Sequence, residues 1–414
     1  MTDSVDAKAA ESQGAPVTDW ARDYDIYDPA YVADPHAIWA DLRSRCPIAH
    51  SDRHGGSWLP TRYADVSAIA HDVEHFSSRE VSVVPPPTGD ANVIPLALPP
   101  LQTDPPEHTW SRRLLLPWFT PQRVAGYERA TRTLCQLLID RFVDQGAVDA
   151  ALQYTQQIPV FVIAHVLGVP HSLADTFTTS VRAVLDFTNE PVLRVAARDE
   201  IVRCLLEQMV KRRQHPGTDL LSGLVHAEVD GKPLSDLHIL GTAALTLIAG
   251  IDTTASALGT MLWHLATHEA DRERLVERRE LLPGAIEELL RAYSPVTMAR
   301  VATVDTNIGG CPVRAGDRVL LNFPAANRDP EVFPEPDRVV LDRGANRHLA
   351  FGTGIHRCAG SHLARMELLV ALDEWLTQIP SFVLAEPDSV RWTSGQVRGP
   401  RNLPLSFVSP PVRR

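Results

Sequence analysis

The sequence predicts a mainly α-helical protein with a minor β portion, and three observations predict it. Helix-starting pairs recur (Asp34-Pro35, Asp104-Pro105, Thr120-Pro121), each offering a side-chain acceptor at the N-cap and a proline in the first turn. Strand-like runs are short and clustered. No stretch alternates strand with helix, so nothing points to a Rossmann-type parallel sheet.

In chain order, Asp34-Pro35 opens an amphipathic helix that stops at Cys46-Pro47, because the residue before a proline disfavours helical backbone. Ser57–Pro60 reads as a strand. Ser77–Gln102, with its VVPPP and IPLALPPL runs, is long for a structureless connection and reads as a binding loop or lid, or equally as a rigid surface loop. Asp104-Pro105 opens a helix through His108 and Arg112, and Thr120-Pro121 one that runs to Gly146 as its C′ glycine. Helical spacing continues over Ala150–Leu167, Ser172–Asp186, Pro191–Gln214, Asp236–His268, Glu269–Arg279, Pro283–Tyr293 and Cys358–Gln378. Strands are expected at Thr303–Ile308, Arg318–Asn322, Phe382–Ala385 and Leu405–Val408, with an irregular meander over Asn322–His348.

A chain of 414 residues, 44% hydrophobic and 22% charged, buries a core that needs no disulfide staples. Its net charge of −11 argues against bulk binding to nucleic acid or to an anionic membrane. The five cysteines are scattered, without a C-x-x-C pair, which disfavours a disulfide framework or a zinc site and suits a reducing, cytoplasmic setting. Met1–Asp19 lacks the basic and apolar regions of a signal peptide and reads as a disordered lead-in to a single, monomeric domain over 20–414. Between Leu237 and His268 the only formally charged residue is Asp252, so a membrane span fits by length. The interspersed threonines and the central carboxylate favour a buried core helix instead.

Four clusters carry chemistry. Phe351-Gly-Thr-Gly354-Ile-His356-Arg-Cys358-Ala-Gly360 leads from an irregular stretch into a helix. If Cys358 binds iron, each neighbour has a job. Backbone N–H groups at a helix start favour a thiolate, glycines let the backbone approach a flat ring, and Phe351 excludes water. Taken alone, Cys358 fits an inert buried thiol as well. Ala249-Gly-Ile-Asp252-Thr253-Thr254 places a glycine inside a helix at about 1 kcal/mol relative to alanine. Either close packing explains it, or Asp252 and Thr253 open the helix locally into a groove, while Thr253 back-bonding to a carbonyl is the plainer alternative. Glu288 and Arg291 meet on one helix face, as do His108 and Arg112.

The pattern F-G-x-G-x-H-x-C-x-G resembles the signature loop of the cytochrome P-450 family at all its specified positions, and A-G-x-D-T-T resembles the family's acid–alcohol motif. Glu288-Leu-Leu-Arg291 is similar to its E-x-x-R motif, and the motifs stand in the family's order over nearly the whole chain. The resemblance implies haem b sandwiched between the long helix and the cysteine-loop helix, with Cys358 as the metal ligand. It implies cofactor contacts from Ala249, Gly250, Phe351, Gly352 and Gly360, and propionate partners in His108, Arg112, Arg300 and His356. Asp252 and Thr253 become the catalytic pair that delivers protons during dioxygen cleavage. Glu288, Arg291 and Arg338 become a buried structural triad, although Val339 stands where the family usually has an aromatic residue.

Further implications concern substrate and electrons. The resemblance places Leu245, Ile248, Ala249, Val296, Thr297, Met298, Ser394, Gln396 and Val397 around the substrate, together with the Ser77–Gln102 loop and the Phe177–Phe187 region. That lining is mostly apolar and implies a hydrophobic, medium-sized substrate for a monooxygenase using O2. No G-x-G-x-x-G and no iron–sulfur cysteine set is present, so NAD(P)H-derived electrons are expected through a separate ferredoxin and ferredoxin reductase. Arg112, Arg113, Arg347, Arg357 and Arg365 are a docking face for it, or simply solvated cations. Three rivals are a peroxide-using peroxygenase, which the Asp252–Thr253 pair disfavours, a haem-binding sensor or carrier, which needs no proton relay, and a non-oxygenating family member such as a coupling or desaturating enzyme.

Overall fold

The computed structural model describes residues 15–84, 96–185 and 191–408. Residues 1–14 of the expected lead-in, 85–95 of the Pro-rich loop and 186–190 lie outside the described residues. Residues 15–19 do not behave as a loose lead-in. The Ala15 carbonyl accepts from Arg53 at 2.7 Å, and the Val17 N–H donates to Asp28 at 3.2 Å.

Nine helices position the site: α1 (Pro35–Arg45), α2 (Glu107–Leu115), α3 (Glu128–Ile139), α4 (Gln157–Leu167), α5 (Ala174–Leu185), α6 (Pro191–Gln214), α7 (Asp236–Thr267), α8 (Leu282–Ala292) and α9 (Ser361–Gln378). Asp34 caps α1 as expected, accepting from the His36 N–H at 3.0 Å. Asp104 does not cap α2. Its carboxylate accepts from the Ser77 hydroxyl at 2.6 Å and the Ser78 N–H at 2.8 Å, tying down the preceding loop, and α2 starts only at Glu107. Thr120 caps a short helical turn, Pro121–Ala125, and the chain restarts as α3, so one expected helix is two. Gly146 is left-handed at φ 69°, ending the last turn before the next strand.

The 32-residue α7 is long and apolar enough to cross a bilayer, but 78% of its most apolar window is buried within the protein, which makes it a core helix. It packs against α4 on one side and α9 on another, with α5 and α6 beside it. The largest apolar cluster lies among these helices. Burial of each large side chain there contributes roughly 1.5–3 kcal/mol.

The strands are β1 (Ile48–Ser51), β2 (Ser57–Pro60), β3 (Phe76–Ser77), β4 (Ala147–Asp149), β5 (Met298–Ala302), β6 (Arg318–Leu321), β7 (Phe382–Leu384) and β8 (Pro404–Phe407). The larger sheet runs β1-β2-β6-β5-β3, with only β2 and β6 parallel. A smaller antiparallel sheet runs β7-β8-β4. Of the single strand expected at Thr303–Ile308, only Thr306–Ile308 is strand, one arm of a hairpin with Cys311–Val313; β5 has already ended at Ala302. Pairing of Arg300 with Val319 sets β5 in register, which fixes where Met298 and Arg300 enter the site.

Candidate active site

The cysteine loop is shaped by its backbone. The Cys358 N–H donates to the Phe351 carbonyl at 2.8 Å, closing the loop on itself. Gly352 and Gly354 sit at φ 66° and 70°, and a Cβ on Gly354 would lie 2.4 Å from the Ala70 carbonyl oxygen, so only glycine fits there. Helix α9 begins at Ser361, three residues later than expected, and leaves Cys358 just ahead of its first turn. Cys358 is exposed and helps to line a cavity. Burial pushes its thiol up, against the Gly360 N–H and the guanidinium groups of Arg112, Arg357 and Arg365, which favour the thiolate.

Phe351 is held beside the sulfur's loop by Arg365, whose guanidinium lies 4.3 Å from the ring centroid. The same guanidinium binds Glu287 through two bonds of 2.7 Å, and His348 Nε2 reaches Glu287 at 3.1 Å. Burial raises Glu287, but these two partners outweigh it and hold the carboxyl down at about 2.

One edge of the cavity gathers basic groups, and the Asp104 carboxylate acts on His108 and Arg300 only from beyond salt-bridge distance. The rings of His108 and His356 stand 4.3 Å apart, and the Nε2 atom of each is buried without a partner. His356 is driven down to about 2 by burial, then by Arg300, His108 and Arg112; burial brings Arg300 down to about 10. Among the described residues neither Arg112 nor Arg300 has a carboxylate within salt-bridge distance; each instead donates to a backbone carbonyl, of Arg357 and Ala299 respectively. Buried cations and orphaned ring nitrogens of this kind await an anion. Two propionates on a flat ring, with the Cys358 sulfur facing the same space, meet that requirement, so the residues present fit a haem.

The cavity holds about 390 Å³. Leu245, Ile248, Ala249, Gly250 and Thr253 of α7 line it, with Val296, Met298, Gln396 and Val397 and with Phe351, Gly352, His356 and Gly360 of the cysteine loop. Thr297 does not line it, Ser394 turns away to donate to the Ile26 carbonyl, and Phe177 is fully buried in the helical core; Val184 and Leu185 represent that region. Helix α7 runs unbroken through 249–254, so the expected local opening is absent. Gly250 is explained by packing: a Cβ there would lie 2.5 Å from Ile163 of α4. Thr253 Oγ1 donates to the Ala249 carbonyl at 2.7 Å. Asp252 is 2% exposed, outside the cavity lining, and bound by both terminal nitrogens of Arg401, one of them at 3.1 Å.

The buried charge triad needs one correction. Arg291 binds both oxygens of Glu288 at 2.8 and 2.9 Å with both side chains wholly buried. The second cation is Arg343, whose Nε lies 2.9 Å from Glu288, not Arg338. The Arg338 carbonyl turns inward to accept from Arg291 and Arg343, which sends its own side chain out to solvent beside Glu335. Residues not foreseen include Arg401, Arg343, and two charged members of the cavity wall, Arg194 and Glu367.

A cysteine aimed into a cavity against a long helix, with cationic anchors at the cavity's edge, defines a haem-thiolate protein. Residues 184–379 match the Cytochrome P450 family model. The chain is 36% identical over 401 residues to nocardicin C N-oxygenase of Nocardia uniformis subsp. tsuyamanensis, covering 93% of this chain and 98% of that protein. It is 35% identical over 357 residues to mycinamicin IV hydroxylase/epoxidase of Micromonospora griseorubida, covering 84% and 89%. The structure of cytochrome P450 CYP109Q5 from Chondromyces apiculatus superposes with a TM-score of 0.85 at 31% identity, over 94% of this chain and all of that one. The chain belongs to the cytochrome P450 family and is a monooxygenase whose family carries haem on a cysteine thiolate.

Proposed function

We propose that this P450 is a cytoplasmic monomer that takes NAD(P)H-derived electrons from a separate ferredoxin reductase and ferredoxin to oxidise a hydrophobic small molecule. One observation carries the reading: Cys358 and the apolar wall of Leu245, Ile248, Val296, Met298 and Val397 line one cavity. When bound, the haem supplies the redox chemistry, and thiolate ligation favours O–O cleavage. The protein's part is to hold, orient and deliver protons.

In this reading Cys358 ligates the iron. His108, Arg112, Arg300 and His356 hold the propionates, and Ala249, Gly250, Phe351, Gly352 and Gly360 bound the ring. Thr253 would turn its hydroxyl from the Ala249 carbonyl into the cavity, and Asp252, on leaving Arg401, would pass it protons. Hydroxylation, epoxidation and N-oxygenation are all named for the relatives above, so the outcome follows from the bond that the apolar wall presents. The exposed Arg113, Arg347 and Arg357 suit an acidic ferredoxin; Arg365, bound to Glu287, adds less.

The test has two parts. Reduced protein under carbon monoxide should show the strongly red-shifted Soret band of a sulfur-ligated haem. With a surrogate ferredoxin and reductase, NAD(P)H consumption should rise with hydrophobic ligands that shift the haem spin state. A haem without that Soret band overturns the reading, as does substrate turnover supported by peroxide but not by the electron chain.

A further inference from the structure

The apolar wall of the cavity carries two neutral polar side chains whose hydrogen-bonding capacity is unspent. Gln396 donates through Nε2 to the Met298 sulfur at 3.3 Å, and a thioether is a weak acceptor. Among the described residues the Gln396 Oε1 takes no hydrogen bond, and the Ser82 hydroxyl, also in the wall, has no partner. Thr246 and Thr253, by contrast, spend their hydroxyls on carbonyls of α7, and the Gln102 oxygen accepts from the Leu98 N–H. The backbone sets Ser82 and Gln396 side by side. The Ala299 N–H donates to the Val81 carbonyl at 2.9 Å, and the Thr297 N–H to the Gln396 carbonyl at 3.1 Å. These N–H groups are two residues apart along β5 and its lead-in, so they point to the same edge, roughly 7 Å from one another. Gln396 is also held from behind. Gly395 sits at φ 91°, where a Cβ would stand 2.7 Å from the Tyr27 hydroxyl oxygen, and Ser394 donates to the Ile26 carbonyl.

We propose that Ser82 and Gln396 together select substrates that carry a neutral hydrogen-bonding group, a ketone, hydroxyl or amide, on one edge of an apolar skeleton. Gln396 exchanges its bond to the Met298 sulfur for one to the substrate, and Ser82 supplies a second contact along the same edge. A hydrocarbon of the same shape dries both side chains without pairing them, so the site discriminates mainly by rejecting it. Because the turn that carries Gln396 is already fixed, little ordering cost is charged to binding.

The inference rests on the monooxygenase reading for the use of the site, whereas the binding it predicts needs neither O2 nor electrons. Calorimetric titration of the holoprotein should compare steroids and terpenoids bearing a ketone or hydroxyl with their parent hydrocarbons, testosterone against androstane among them. In at least one pair the oxygenated member should bind the wild type about tenfold more tightly or better, the scale of one well-made hydrogen bond. Gln396→Leu should erase most of that preference while the hydrocarbon binds as before or tighter, and Ser82→Ala should reduce it about threefold. A wild type that prefers the oxygenated member of no pair overturns the proposal. So does a preference that survives both substitutions, or a Gln396→Leu that weakens both members of a pair equally, as a merely structural defect would. The titrations and the Soret test fail independently, so loss of one reading is not mistaken for loss of the other.

Discussion

Asp252 and Arg401 form a two-bonded ion pair in which the carboxylate is 2% exposed and the guanidinium about a quarter exposed. The pair joins the middle of α7 to the short strand Pro400–Asn402, 149 residues away in the chain. It therefore both braces the fold and holds the acid proposed for proton delivery outside the cavity lining.

That asymmetry in exposure sets the first prediction. Arg401→Ala strands a buried carboxylate, and removing one partner of a buried pair costs about 3–5 kcal/mol. Asp252→Asn leaves a cation that can turn to water and should cost about 1–2 kcal/mol. Thermal midpoints of the two holoproteins should rank Arg401→Ala lower; equal midpoints would mean that the difference in exposure does not set the cost.

Thr253 separates structure from chemistry. Its hydroxyl bonds only to its own helix, and such back-bonding contributes little to stability, so Thr253→Ala should unfold within about 1 kcal/mol of the wild type. Its electrons should nevertheless end in hydrogen peroxide. A variant that oxidises NAD(P)H at a similar rate, with product yield down about tenfold and peroxide rising to match, is expected. Peroxide assay alongside product analysis decides it, and tight coupling would remove Thr253 from the proton path.

What was legible in the sequence was local, and what was not depended on distant chain. The Cys358 loop could be read because its glycines, its histidine and its cysteine act through their own backbone turns. The pocket residues of α7 could be read because helical spacing puts Leu245, Ile248 and Ala249 on one face. Asp104-Pro105 misled because the carboxylate found better donors in Ser77 and Ser78 than in its own helix. The second triad arginine was misplaced by five residues, since two arginines share an irregular segment whose backbone turns no periodicity reveals. Glu367 did carry a local signal, an acid on the Leu363–Ala364–Leu368 face, but nothing in the sequence says that this face borders a cavity.

Glu287 should govern behaviour in acid. Its folded carboxyl titrates at about 2 against an ordinary 4.5, a depressed value. The stability it contributes is thus fully present above about 4.5 and is lost as pH falls toward about 2. Because Arg365 joins Glu287 to Phe351, that loss loosens the cysteine loop. Haem retention measured down this pH range should fall more steeply for the wild type than for Glu287→Gln, which should start lower and change less. Parallel curves would show that the loop does not feel this carboxyl.

The corrected triad makes a paired prediction. Arg343→Ala removes a cation from a wholly buried Glu288 and should destabilise by about 3 kcal/mol, with haem content falling in parallel. Arg338→Ala removes an exposed side chain whose useful group is its carbonyl, retained in alanine, and should stay within about 0.5 kcal/mol. Denaturation followed at the Soret band distinguishes them, and a reversed order would restore Arg338 to the triad.

Gly250 offers a test of why the long helix carries a glycine beside Asp252 and Thr253. Alanine in a helix interior is favoured over glycine by about 1 kcal/mol. Here its Cβ would stand 2.5 Å from Cγ1 and Cδ1 of Ile163, a contact that forces α4 and α7 apart or drives Ile163 off its rotamer. Overpacking of that kind costs about 1–3 kcal/mol, so Gly250→Ala should destabilise despite its better propensity. Ile163→Ala alone leaves a hole and destabilises by about 2–5 kcal/mol. The double variant puts a methyl where the isoleucine branch was removed and should be more stable than the two single losses sum to, by about 1 kcal/mol or more. If the losses simply add, the glycine is not there for Ile163.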